Sequence, residues 1–188
     1  ATRTAGCGER PGGGVGAGNG VGGRGRGVRG SPEWSSAHLV GVPGRTDVAV
    51  EGGCKGHLRV DVTAQGTAAH SARPWNGNNA IHEAATIVGR LVAYDPQTID
   101  VDGLDYHEAL NAVCIRGGAA GNVIPDECVV TINYRFAPNM AAAQAPAHVC
   151  ALFAGYAVAV EAIAGGPRPG LHLAAARDFA RAAGSPVA

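Results

Sequence analysis

The chain carries no surplus of charge. Fifteen Lys and Arg stand against fifteen Asp and Glu, a formal net charge of zero. A surface that coats nucleic acid or an anionic membrane needs a basic excess, so the balance argues against both partners. No apolar run approaches the roughly 20 residues that span a bilayer, and the N-terminal stretch lacks the apolar core of a signal peptide. The five cysteines, Cys7, Cys54, Cys114, Cys128 and Cys150, are scattered, odd in number and form no C-x-x-C. Without the framework of a secreted disulfide scaffold, a cytoplasmic location is expected, with each cysteine a small buried hydrophobe. A zincin helix is missing too: His82-Glu83 opens like H-E-x-x-H, but position 86 is Thr86, which removes the second ligand.

What is present divides near residue 50. "RPGGGVGAGNGVGGRGRGVRG", residues 10–30, has no apolar periodicity and no side chain large enough to build a core. Such a stretch cannot offset its ordering entropy, so residues 1–50 are expected to be low-complexity and disordered. Gly18-Asn19-Gly20-Val21-Gly22-Gly23 matches G-x-G-x-x-G, yet neither a strand before it nor a helix after it is legible, so no dinucleotide site is assigned. The "GGRGRGVRG" portion also reads as an RG-rich RNA-binding tail, an alternative weakened by the absence of aromatic stacking partners in it.

From Cys54 onward the pattern is regular. "HLRVDVTA" alternates, with Leu58, Val60, Val62 and Ala64 on one face, as in a half-buried strand. Asn78 or Asn79 can cap a helix whose stripe is Ile81, Ala84, Ala85, Val88 and Leu91, with Glu83 in the first turn suiting the helix dipole. After the "YDPQ" break and a polar connection, "LNAVCIRGG" and "ECVVTINYRF" read as strands. Cys128, Val130, Ile132, Tyr134 and Phe136 share one face of the latter. Asn139 is the expected cap of a second helix running to about Phe153, which puts Pro146 inside it at a cost of about 3 kcal/mol. "AVAVEAIA" makes a fourth strand and "LHLAAARDFARAAG" a last amphipathic helix. The order β-α-β-β-α-β predicts an α+β, ferredoxin-like unit: an antiparallel four-stranded sheet with two helices on one face.

Three stretches carry a resemblance: "GCKGHLRVDVTAQGTAAHSARPWNGNNAIH", "GGAAGNVIPDECVVTINYRFAP" and the elements between them. A G-x-x-A-H-S-A loop, a G-N-V-I-P-D turn and an N-Y-R-F strand end in that order resemble the lid, or dimerisation, domain of M20-family metallopeptidases. Within that family the wording is most similar to the succinyl-diaminopimelate desuccinylases of high-GC bacteria. The resemblance implies a lid domain over residues 51–166, with residues 167–188 as the start of a returning catalytic domain. It further implies a homodimeric enzyme with two zinc ions that hydrolyses N-succinyl-LL-2,6-diaminopimelate to succinate and LL-diaminopimelate. In such an enzyme a small-molecule acyl-amino acid is the substrate, and some lid groups reach the neighbouring subunit's site.

Carried over by position, the resemblance makes His70 the lid histidine that hydrogen-bonds the scissile carbonyl oxygen as it gains charge. Asn122 matches a substrate-binding asparagine, and Arg135 the arginine that grips a substrate carboxylate. Lys55 and Arg73 sit where substrate contacts are expected. On the residues alone, His70 is a loop histidine, Asn122 a turn residue tolerating positive φ, and Arg135 a solvated strand residue.

The family's H-x-D motif and paired glutamates occur nowhere in the sequence, so no catalytic metal is expected to bind this chain and no hydrolysis by it alone. Gly, Ala, Arg and Pro are encoded by GC-rich codons, and an out-of-frame reading of such a gene would yield a segment like residues 1–45. The remaining alternative is a stand-alone ferredoxin-like binding or dimerisation module with Arg135 as its anion contact.

Overall fold

Apolar side chains at every second position build the central strands. The computed structural model describes residues 8–9 and 52–183. Its strands are β1 (Gly8–Glu9), β2 (Gly56–Gln65), β3 (Ala69–His70), β4 (Thr98–Val101), β5 (Leu104–His107), β6 (Ala109–Gly117), β7 (Val123–Ile124), β8 (Glu127–Phe136) and β9 (Ala157–Ala164). Its α-helices are α1 (Ala80–Val92), α2 (Ala145–Leu152) and α3 (Ala174–Ala183).

The main sheet has the order β1-β9-β2-β8-β6, and all pairings among β9, β2, β8 and β6 are antiparallel. In chain order β2, α1, β6, β8, α2 and β9 make the expected ferredoxin-like unit. The ten-residue strands β2 and β8 pair along their whole length, Gly56 opposite Phe136 and Gln65 opposite Glu127. Leu58, Val60, Val62 and Ala64 from β2 meet Cys128, Val130, Ile132, Tyr134 and Phe136 from β8 on one face, none more than 1% exposed. Each large side chain so buried contributes about 1.5–3 kcal/mol.

Five details depart from the expectations. Asn79 is the cap of α1, its Oδ1 accepting from the Ile81 N–H at 2.9 Å. The buried stripe, however, is Ala80, Ala84 and Ile87, with Leu91 partly buried. Ile81, Ala85 and Val88 are exposed, because the small Ala80 and Ala84 let the helix lie close to the sheet. The second helix begins at Ala145, not after Asn139. Pro146 therefore sits in the first turn, where a missing N–H costs nothing, and the Gln144 side chain instead accepts from the Ala141 N–H. The polar connection is a hairpin, β4 and β5, turning through Asp102 and Gly103 at φ 58° and 85°, the left-handed pair that Asp-Gly favours. Cys54 and Cys114 are exposed free thiols, unlike the buried Cys128. Finally, Gly8–Glu9, inside the segment expected to be disordered, pair in parallel with Ala159 and Val160 of β9. Edge pairing is a backbone property and needs no large side chain. The rest of residues 1–50 lies outside the described residues, as do Cys7 and the RG-rich stretch.

The hairpin has its own small core of Val101, Tyr106 and Ala137. It also ties down the first and last segments of the sheet unit: the Tyr106 hydroxyl donates to Gly52 O at 2.5 Å, and Arg168 forms a two-nitrogen bridge to Asp102. Those segments run together, Cys54 N–H donating to Pro167 O, and a Cβ on Gly166 would come within 2.0 Å of Cys54 O. Gly52–Pro169, with β1, form one compact unit. The residues from Gly170 belong to a second, whose described part is the turn Gly170–Leu173 followed by α3. No helix among the described residues is long and apolar enough to cross a membrane.

Candidate functional site

The histidine loop is held at both ends by backbone. At its base Thr67 and Asn78 exchange hydrogen bonds of 2.7 and 3.0 Å. β3 pairs with β7, Ala69 opposite Ile124 and His70 opposite Val123, and the Ser71 N–H donates to Asn122 O at 2.9 Å. The A-H-S-A and G-N-V-I-P-D motifs are thus two strands of one ribbon. Pro125 is buried, and its carbonyl accepts from the Ala80 N–H, which anchors the ribbon to the start of α1.

His70 is exposed on this ribbon, and its Nδ1 accepts from the Ala72 N–H at 3.1 Å. A neutral imidazole that accepts at Nδ1 carries its hydrogen on Nε2. The loop therefore presents one outward-facing N–H donor, the group needed beside a carbonyl oxygen gaining negative charge. Arg73 lies one turn further on, its backbone N–H bonded to His70 O and its side chain exposed. Asn122 has an exposed side chain at the same ribbon. Its φ is not positive, since Asp102 is the one non-glycine residue with positive φ among the described residues. Its carbonyl does the positioning.

Arg135 and Lys55 stand elsewhere. β8 starts beside the ribbon at Glu127 and carries Arg135 eight residues later, about 25 Å along the strand. Arg135 projects from the open face of the sheet, opposite His57 of β2. Lys55, next to that end, directs its ammonium to the His107 carbonyl of the hairpin at 2.8 Å, a structural use the spacing did not suggest. The five expected residues thus form two groups, His70, Arg73 and Asn122 at one end and Arg135 and Lys55 at the other. One small substrate cannot touch both groups of the same chain.

Electrostatics differ between the sheet faces. On the open face burial, then the charges of Arg135 and Arg59, hold His57 below its ordinary value. On the covered side Glu108, 8% exposed, accepts from the Tyr134 and Tyr94 hydroxyls at 2.6 and 3.0 Å. Burial and then this carboxylate push Tyr94 up to about 12, and raise Tyr134 further. His148 stacks on Tyr134 at 5.3 Å. Sequence reading missed this cluster, since Glu108 lies in what read as a polar connection. Among the described residues no three His, Cys, Asp or Glu gather as a metal site. The described residues therefore do not fit a zinc ion, and no step through a metal is assigned to them.

The fold and ribbon together define a class: a ferredoxin-like lid with a histidine loop zipped to an asparagine-bearing turn. Comparison with known proteins agrees. Residues 53–159 match the M20 peptidase dimerisation-domain model, and the chain belongs to that family. It is 46% identical over 167 residues to a Mycobacterium tuberculosis protein bearing the name succinyl-diaminopimelate desuccinylase DapE, covering 88% of this chain and 47% of that one. It is 43% identical over 145 residues to the succinyl-diaminopimelate desuccinylase of Corynebacterium glutamicum, covering 74% of this chain and 39% of that one. The chain spans about half the length, or less, of these curated relatives.

Among solved structures, a Staphylococcus aureus tripeptidase superposes with a TM-score of 0.54 at 20% identity, covering 77% of this chain and 40% of its own. The M20 family metallo-carboxypeptidase Sso-CP2 of Sulfolobus solfataricus gives 0.51 at 13% identity, covering 74% of this chain and 47% of its own. These likenesses show the fold. The Mycobacterium match covers more of the chain than residues 50–188 contain, so it takes in part of the N-terminal segment.

Proposed function

We propose that this chain supplies the lid of an M20-type amidohydrolase acting on N-succinyl-LL-2,6-diaminopimelate, releasing succinate and LL-diaminopimelate. The identity to two desuccinylases over most of the chain carries this reading. His70 supplies Nε2–H to the amide oxygen of the scissile bond, stabilising the charge that develops there, and Ala72 N–H holds the ring in that tautomer. Asn122 fixes the loop through its carbonyl and offers its exposed side chain to the substrate, with Arg73 beside it. Arg135 takes a substrate carboxylate through its planar fork. The wide separation of His70 from Arg135 fits a dimer in which each lid serves its own substrate with one end and the neighbour's with the other.

The dimer in this reading is built from two copies of the chain. β6 is an edge of the sheet among the described residues, and Ile115 on it and Ile81, Val88 and Val92 on α1 are exposed. Ile115→Lys is expected to shift sedimentation from dimer to monomer.

The chain alone is expected to leave the substrate intact with zinc present. The decisive test sets it in the lid position of the Corynebacterium glutamicum relative and measures succinate release. An active chimera that loses about a hundredfold in kcat on His70→Ala supports the reading. A dimeric, folded chimera inactive on this amide, or one indifferent to His70→Ala, overturns it.

A further inference from the structure

Two β-bulges frame a cavity on the open face of the sheet, away from the histidine loop. Along β2 and β9 the register passes from Arg59 opposite Ala162 to Val60 opposite Val160, leaving Glu161 as the extra residue. Along β6 and β8 it passes from Ala112 opposite Ile132 to Cys114 opposite Thr131, leaving Val113 extra. The bulges lie at the same level on both sides of the central strand pair. Bulges re-aim side chains and often stand beside sites. Here both point at one open depression of about 360 Å³, lined by Arg59, Asp61, Val113, Cys114, Arg116, Thr131 and Glu161.

The floor of this cavity is already satisfied. Asp61, 6% exposed, accepts from the Thr131 hydroxyl at 2.6 Å and from Arg116 Nη2 at 3.0 Å. Arg116 Nη1 also donates to Thr131 Oγ1 at 3.2 Å and to Cys114 Sγ at 3.5 Å. These groups use up one positive and one negative charge. Arg59 and Glu161 remain, and neither forms an ion pair with a described residue. A ligand entering the cavity therefore meets one available cation and one available anion on a rigid polar floor, with Val113 as an apolar wall.

We propose that this cavity binds the zwitterionic head of an α-amino acid, Arg59 taking the carboxylate and Glu161 the ammonium. A guanidinium is the geometrically apt partner for a carboxylate, and a bare carboxylate accepts well from an ammonium. This site is independent of the role given to His70.

The test is an NMR titration of the full chain with norleucine, hexanoate and hexylamine at low ionic strength. Norleucine is expected to bind about tenfold more tightly than either singly charged analogue. Arg59→Gln is expected to reduce norleucine to the level of hexylamine, and Glu161→Gln to the level of hexanoate, while Arg59→Lys keeps the preference. Val113→Trp, which fills the cavity, is expected to weaken all three. Equal affinities for the three probes overturn the proposal, as does a norleucine preference that survives both Arg59→Gln and Glu161→Gln.

Discussion

The two faces of one sheet obey different rules. The helix-covered face is a closed apolar layer in which Leu58, Val60, Val62, Val130, Ile132 and Phe136 are almost wholly buried. The open face carries His57, Arg59, Asp61, Thr131 and Arg135 on the same two strands, one residue out of phase. On β2 and β8 the covered face keeps strict alternation. The open face holds both bulges' cavity and the unpaired arginines. The apolar core is concentrated on one side and the charged side chains on the other.

Substitutions on the two faces should separate these roles. Phe136→Ala on the covered side is expected to cost about 3–5 kcal/mol in urea unfolding, because its ring fills the space over Gly56, where a Cβ would come within 2.2 Å of it. A loss below about 1 kcal/mol would mean that the covered layer is not a tightly packed core. Glu108→Leu follows at about 1–3 kcal/mol, since it leaves the Tyr94 and Tyr134 hydroxyls without their acceptor. The same variant should bring Tyr94 ionisation down from about 12 in a spectrophotometric titration, burial remaining as the larger cause.

On the open face the effects shrink. Asp61→Asn is expected to cost about 1–2 kcal/mol, weakening the bonds from Thr131 and Arg116. Arg135→Gln is expected to leave stability near neutral pH unchanged and to raise the His57 pKa, read by NMR titration of its ring protons. The sign follows from linkage. His57 in the folded chain sits below its ordinary 6.5, so the unfolded chain takes up the proton first. Acidification from about 6.5 through the folded value therefore costs stability, and removing Arg135 narrows that window. A His57 pKa unmoved by Arg135→Gln would show that burial and Arg59, not Arg135, set it.

Much of the covered face was legible in the sequence. Period-two alternation in "HLRVDVTA" and "ECVVTINYRF" identified its strands and their buried side chains, since one buried face forces that pattern. The hairpin between them is signalled by Asp102-Gly103. Of the expected α1 stripe Ala84 and Leu91 face the sheet, but Ala80 and Ile87 take the places expected for Ile81 and Val88, because periodicity alone does not say that two alanines will face the sheet. Pro146 is a fault only in a helix that starts after Asn139; a start at Ala145 puts it in the first turn. Of the candidate site, the motifs marked His70, Asn122 and Arg135. They did not reveal that His70 and Asn122 share a ribbon while Arg135 lies far along the sheet.

The sequence by itself determined the β-α-β-β-α-β order of the main sheet unit, the buried face of β2 and β8 and the family to which the chain belongs, because these rest on local periodicity and on motifs read along the chain. Tertiary structure alone decided the rest. The pairing of the His70 loop with Asn122, the Glu108–tyrosine cluster and the cavity beside Arg59 depend on strand register. Register joins residues such as Asp61 and Arg116 that lie 55 positions apart, and a single bulge can change which side chains meet.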